Sequence, residues 1–300
     1  MKIACHPCYA HPLPPGHRFP MIKYELLPQQ LLYYGIAKES DFFSPAFMEE
    51  SLVLQTHEQT YWQKLKNLQL SKSEIRRSGF PLSPELIQRE LMIAQGTFDL
   101  AVYALENQSI GLNIAGGTHH AYSNRAEGFC LLNDIAIAAN ILLQQKLVSK
   151  ILVIDLDVHQ GNGTASLFQD NPAVFTFSMH GKDNFPLQKE HSDLDIPLPT
   201  GCSTEQYLKI LYQTLPELLQ KVKPDFVFYQ AGVDILETDL LGKLKVSAEG
   251  VSERDRFVFE SCRNAGLPVV VTMGGGYSAD IKLIVNAHCE TFRQALHVVS

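Results

Sequence analysis

Three residues within five positions have the types and spacing to hold a metal ion. Asp155-Leu156-Asp157-Val158-His159 alternates ionisable and apolar side chains. Successive side chains of an extended strand point to opposite faces, so this spacing predicts Asp155, Asp157 and His159 on one face and Leu156 and Val158 on the other. A carboxylate and an imidazole two residues apart can both reach one cation. Zinc accepts carboxylate oxygen and imidazole nitrogen, and a catalytic zinc keeps three protein ligands and an open position. Asp157 and His159 offer two ligands, and Asp234, in Ala231-Gly232-Val233-Asp234, fits as the third.

His119 and His120 stand side by side in Gly116-Gly117-Thr118-His119-His120. Near pH 7 a neutral imidazole can take a proton from a water and return it to a leaving amine. Two in succession let one move the proton while the other adds positive charge or orientation. Tyr277 follows Gly274-Gly275-Gly276, a run whose backbone can approach other groups closely. Its phenol can donate to a carbonyl oxygen that is becoming an oxyanion. Taken singly, these residues also read as strand-end caps, polar turn residues and a packed aromatic. Their convergence points to amide hydrolysis.

Convergence requires elements that deliver them to one place. Apolar runs predict strands over Lys2–Cys5, Gly111–Ile114, Ile151–Leu156, Val174–Met179, Asp225–Gln230 and Pro268–Met273. Helical patterns lie between them, at Asp134–Gln145, Thr204–Val222, Ser247–Ala265 and Ala279–Leu296. A further helix starts after Ser83, a capping residue, with Pro84 in the first position and an apolar stripe from Leu86 to Leu105. The strand candidates are apolar throughout, as strands covered on both faces should be. Alternating strands and helices predict a three-layer α/β/α fold around a parallel sheet, in which the site lies at the carboxyl ends of the strands. The polar clusters all follow strand candidates. No repeat or long linker divides the 300 residues, which are read as a single domain; Ser71–Pro84 is expected to be a mobile loop.

The net charge of −7, without a basic tract, argues against binding nucleic acid directly. Met1–Pro12 lacks the apolar core of a signal peptide, and Ile135–Leu143 is far shorter than the roughly 20 residues that span a bilayer. A cytoplasmic enzyme is expected. Cys5-His6-Pro7-Cys8 is half of a zinc knuckle with no second pair, so the six cysteines are read as free thiols in a reducing compartment.

In order and approximate spacing, Gly116–Ala121, Gly128-Phe129-Cys130, Asp155–Gly163, Ala231–Asp234 and Gly274–Tyr277 resemble the histone deacetylase superfamily, together with His11-Pro12 and Gly16–Pro20 upstream. Gly161-Asn162-Gly163 and Gly232–Glu237 resemble class IV deacetylases and their bacterial relatives most closely. The resemblance implies an arginase/deacetylase-like fold with about eight mostly parallel strands. It implies one catalytic zinc on Asp157, His159 and Asp234, with His120 as general base and acid, His119 as its electrostatic partner bonded to Asp155, and Tyr277 as oxyanion donor. Gly128, Phe129, Phe185 and Gly275 would line the acyl channel, with Arg18 near its inner end. A structural potassium would sit by Asp155, Asp157, His159, Ser178 and Met179.

Two departures stand out. Many relatives have Asp where this chain has Asn162, which can orient His120 but adds no negative charge. The Ser71–Pro84 segment also lacks the Asp with which many relatives grip the substrate backbone. The expected substrate is an acylated lysine in a protein or peptide, carrying acetyl or a longer fatty acyl group. The alternative is a small acylated amine such as an acetylated polyamine. A dinuclear manganese hydrolase and a silent acyl-lysine binder fit the residues less well. Oligomeric state is left open.

Overall fold

A computed structural model describes residues 1–299. In chain order the elements are β1 (Lys2–Ala4), α1 (Lys23–Tyr33), β2 (Phe42–Phe43), α2 (Glu50–Val53), α3 (Gln59–Lys66), α4 (Lys72–Ser78), α5 (Pro84–Asn107), β3 (Ile110–Asn113) and α6 (Asp134–Gln144). They continue with β4 (Ile151–Asp155), α7 (Asn162–Phe168), β5 (Val174–Gly181), β6 (Leu194–Leu198), α8 (Thr204–Val222), β7 (Phe226–Gln230), α9 (Ala248–Asn264), β8 (Val269–Thr272) and α10 (Ile281–Val299).

The strands form one eight-stranded sheet in the order β2-β1-β3-β8-β7-β4-β5-β6, and every pairing is parallel. Parallel neighbours need crossovers, and helices supply them on both faces. The side chains of β4 show the layering. Ile151 and Val153 pack with Leu100 and Ala104 of α5 and with Ile135 and Ala139 of α6. Leu152 and Ile154 point the other way, into the core holding Leu211 of α8, Val258 of α9 and Phe292 of α10.

Local chemistry sets the helix ends. Ser83 accepts from the Leu86 amide and Pro84 opens α5, as expected. Ser203 caps α8, with Gln206 completing a reciprocal capping box, and Ser247 caps α9. The Ser71–Pro84 segment differs from expectation. It contains α4, whose Ser71 and Glu74 form a capping box, and it carries the buried Phe80. Two strands were not expected from the sequence. β2 has two residues, and β6 is a partly exposed edge containing Pro197, so neither shows a continuous apolar run.

β3, β8, β7 and β4 are consecutive neighbours at the centre of the sheet. The ends of these strands and the loops after them carry His119–His120, Gly274–Tyr277, Asp234 and Asp155–His159 respectively. The topology therefore brings all four polar clusters to one rim. Among the described residues, no helix is long and apolar enough to cross a membrane, and all six cysteines are free.

Candidate active site

β4 ends at Asp155, so the expected alternation of faces stops there. Beyond it the chain turns on its own carboxylates. The Asp157 amide donates to Asp155 Oδ1 at 3.2 Å, and the His159 amide to Asp157 Oδ1 at 3.0 Å. Such Asx bonds replace the lost sheet bonds and aim the side chains separately. Asp155 is directed towards His119, while Asp157 and His159 meet Asp234.

Ligand atoms of Asp157, His159 and Asp234 all lie within 4.8 Å of one another, and the three residues are buried. His159 Nδ1 is 3.0 Å from Asp157 Oδ1 and 3.1 Å from Asp234 Oδ2. Glycine makes the crowding possible: a Cβ on Gly232 would overlap the Asp157 carboxylate, and one on Gly275 the Asp234 carboxylate. The Gly275 amide donates to Asp157 Oδ2 at 2.8 Å. Burial and the nearby Asp157 push the Asp234 carboxyl up to about 7. Burial disfavours charge on His159, but Asp157 and Asp234 overcome it and hold the imidazole up to about 10. A buried cluster that concentrates two carboxylates and draws in positive charge fits a cation, and its oxygen and nitrogen donors suit zinc.

The neighbouring histidines differ in their partners. His119 Nδ1 meets Asp155 Oδ2 at 2.7 Å. Burial opposes its protonation, yet the carboxylate prevails and its pKa is raised. His120 Nδ1 meets Asn162 Oδ1 at 2.6 Å. Burial and the adjacent His119 and His159 take its pKa well below the ordinary histidine value. The Asn162 amide is itself held: Nδ2 donates to the Tyr122 hydroxyl at 2.9 Å, which donates to Glu190 Oε1 at 3.1 Å. Glu190 is anchored by both ends of the Gln160 amide.

Tyr277 is positioned through its backbone, whose amide donates to Asp239 Oδ2 at 2.6 Å. Burial and the charges of Asp234 and Asp157 raise the phenol pKa well above 10, so it stays a donor.

An inner compartment of about 40 Å³ is lined by His119, His120, Asp157, His159, Gly275 and Tyr277, among others. It opens past His120, Gly128, Phe129 and Phe185 into a mouth of about 360 Å³. The Phe185 ring lies 5.0 Å, edge-on, from that of His120. Gly128 has φ +54° and its missing Cβ leaves room for the His120 ring, while Phe129 takes φ +66°, a costly conformation for a large side chain. Backbone bonds hold that turn: Gly128 N to Arg77 O at 3.2 Å and Phe129 N to Ser78 O at 2.7 Å.

Arg18 is not at the inner end of the channel. It is exposed at the mouth, with its guanidinium 5.0 Å from the Phe129 ring centroid. The segment that carries it is fixed by His17 Nε2, 2.9 Å from Gly79 O, which leaves Arg18 outside the aromatic wall. The inner arginine is Arg89, whose Nε donates to Tyr9 O at 2.7 Å and which pairs with Glu90. Lys23 is buried close by, donating to Gly274 O at 3.0 Å, and burial lowers its ammonium to about 8. Both were missed from sequence. The available signal was a cation on an apolar helix face, since Arg89 falls in register with Leu86 and Ile93, and Lys23 with Leu27. Asp155 and Ser178 are register partners across β4 and β5, but Ser178 Oγ is bonded to His180 Nδ1 at 3.0 Å.

This chain superimposes on the crystal structure of an HDAC homolog from Aquifex aeolicus with a TM-score of 0.84 at 22% identity, over 99% of this chain and 84% of that one. The fold is therefore the arginase/deacetylase-like α/β fold. Residues 17–292 match the family model described as histone deacetylase domain, and the chain belongs to the histone deacetylase family. It is 44% identical over 296 residues to an uncharacterized protein of Picosynechococcus sp., covering 99% of this chain and 98% of that protein. It is 28% identical over 290 residues to Histone deacetylase 2 of Arabidopsis thaliana, covering 93% and 75%. Family membership makes the chain a hydrolase of the deacetylase kind.

Proposed function

We propose that the chain is a zinc-dependent deacylase that hydrolyses the amide of an acylated lysine side chain, within a single catalytic domain. The observation that carries this reading is the buried Asp157–His159–Asp234 group facing two differently partnered histidines. Those three residues would hold the zinc, which when bound supplies positive charge to polarise the amide carbonyl and acidify a water.

The chain's own groups account for the rest. Asn162 keeps the His120 proton on Nδ1, leaving Nε2 free to accept a proton and pass it to the departing amine. His119, whose pKa Asp155 raises, would add positive charge beside the reacting carbonyl. The Tyr277 phenol donates to the developing oxyanion. Gly128, Phe129 and Phe185 enclose the lysine stem and exclude water, and Gly275 holds Asp157 from below. A structural potassium beside Asp155, Asp157, His159, Ser178 and Met179 is part of the same reading and rests on the family resemblance.

The inner compartment of about 40 Å³ supports a short acyl group. A single water needs roughly 10–15 Å³, so an acetyl methyl fits and a fatty chain does not. The test is acyl release from acetyl-, butyryl- and myristoyl-lysine peptides and from an acetylated polyamine. The account expects the acetyl peptide to be the best substrate. Turnover of the polyamine alone would transfer the reading to small amines.

A further inference from the structure

We propose that the mouth of the channel selects acylated amines that carry carboxylates beside the acylated group. The inference rests on the deacylase reading of the channel and specifies its substrate class.

Apart from the site histidines and Tyr277, four ionisable residues line the mouth: Arg18, Arg76, Arg77 and Glu127. The carboxylate is already engaged, since Glu127 lies 3.6 Å from Arg125 Nε. All three lining arginines are exposed, and among the described residues none of them is paired with a carboxylate. Among the described residues the Arg18 side chain meets the face of Phe129. In a chain of net charge −7 the mouth is thus a local reversal of sign.

The arginines are also built into the channel. Arg76 and Arg77 lie in the last turn of α4, which is tied to the Gly128–Phe129 wall by the two backbone bonds given above. His17 ties the Arg18 segment to Gly79 at the end of the same helix. Three guanidinium groups therefore ride on the frame that encloses the acylated side chain. With the acyl group in the inner compartment, the α-carbon of an acylated lysine lies at the mouth, and its flanking groups meet these arginines. Guanidinium forks match carboxylates, whereas flanking Lys or Arg, or a polyamine, would meet like charge.

The carboxylates could belong to acidic residues flanking the lysine or to the lysine's own free α-carboxylate. The zinc-loaded protein is tested with fluorescent acetyl-lysine peptides flanked by Asp, Asn or Arg, and with free Nε-acetyl-lysine against its α-methylamide. Binding is read by anisotropy, directly for the peptides and by competition for the amino acids, and turnover by acetate release. The Asp-flanked peptide should bind about 10-fold more tightly than the Arg-flanked one at low salt, a ratio reasonable for a few exposed charge pairs. That ratio should shrink towards one in 1 M NaCl and in the Arg76→Ala/Arg77→Ala variant. A preference in one series and not the other identifies the source of the carboxylate. Equal binding in both, or preference for the Arg-flanked peptide, would overturn the proposal whatever the turnover. Charge-ordered binding without acetate release would keep it and remove the deacylase reading.

Discussion

His120 Nδ1 lies 2.6 Å from Asn162 Oδ1, and because the other end of that amide donates to Tyr122, the oxygen must face the ring. His120 therefore carries its proton on Nδ1 and presents a bare Nε2. The neighbour, His119, faces a carboxylate instead. One residue behind each ring thus sets two adjacent imidazoles apart: Asp155 raises the pKa of His119 against its burial, whereas His120, buried behind a neutral amide, is lowered.

Replacing Asn162 with Asp should erase part of that difference. An anion behind His120 stabilises the imidazolium and raises its pKa, so the base is lost at a higher pH on acidification. The acidic limb of the kcat/KM profile should move to higher pH with zinc content intact. An unmoved limb would mean that Asn162 does not govern the base.

The two histidines should not be equally costly to remove. If His120 moves the proton as proposed, His120→Ala removes a contribution that is typically 10²–10⁴-fold. His119→Ala deletes supporting charge. Single-turnover rates of metal-loaded variants should rank His120→Ala below His119→Ala, and the reverse order would exchange their roles.

Tyr277→Phe should retain fold and zinc while kcat falls by roughly 10²–10³-fold, the scale of one lost oxyanion donor. A change confined to KM would make Tyr277 a substrate-binding residue only.

Acid should weaken the fold as well as the chemistry. His57 is buried, with Nδ1 bonded to Tyr122 O at 3.0 Å and Nε2 accepting from the Asn133 amide at 3.0 Å. Burial lowers it to about 4, so the folded protein holds it neutral. A depressed pKa gives stability that is present above about pH 6.5 and lost as pH falls towards 4, about 3 kcal/mol at 1.36 kcal/mol per unit. Thermal melts between pH 7 and 4 should show a drop that is smaller in His57→Gln. An equal drop in both would place the acid sensitivity elsewhere.

Much of this was legible in the residues. Thr204–Val222 is helical over the expected span, and the central strands were found to within two residues, because buried parallel strands leave continuous apolar runs. The four polar clusters were visible because each follows such a run. What escaped lacks periodicity. α7 begins at Asn162 as seven largely buried residues with no polar face, and α4 announces itself only by its Ser71–Glu74 box. Arg18 was misplaced because sequence order cannot show which side of an aromatic wall a residue occupies. The Asn162–Tyr122–Glu190 chain joins residues 40 and 68 positions apart, a proximity that only the fold creates.

The most direct test of the account measures zinc per chain and acetate released from an acetyl-lysine peptide in the same samples of wild type and Asp234→Ala. Wild type should carry about one zinc and turn over steadily, and the variant should do neither while its fold survives by circular dichroism. An Asp234→Ala protein that loses its zinc and still releases acetate at the wild-type rate would contradict it.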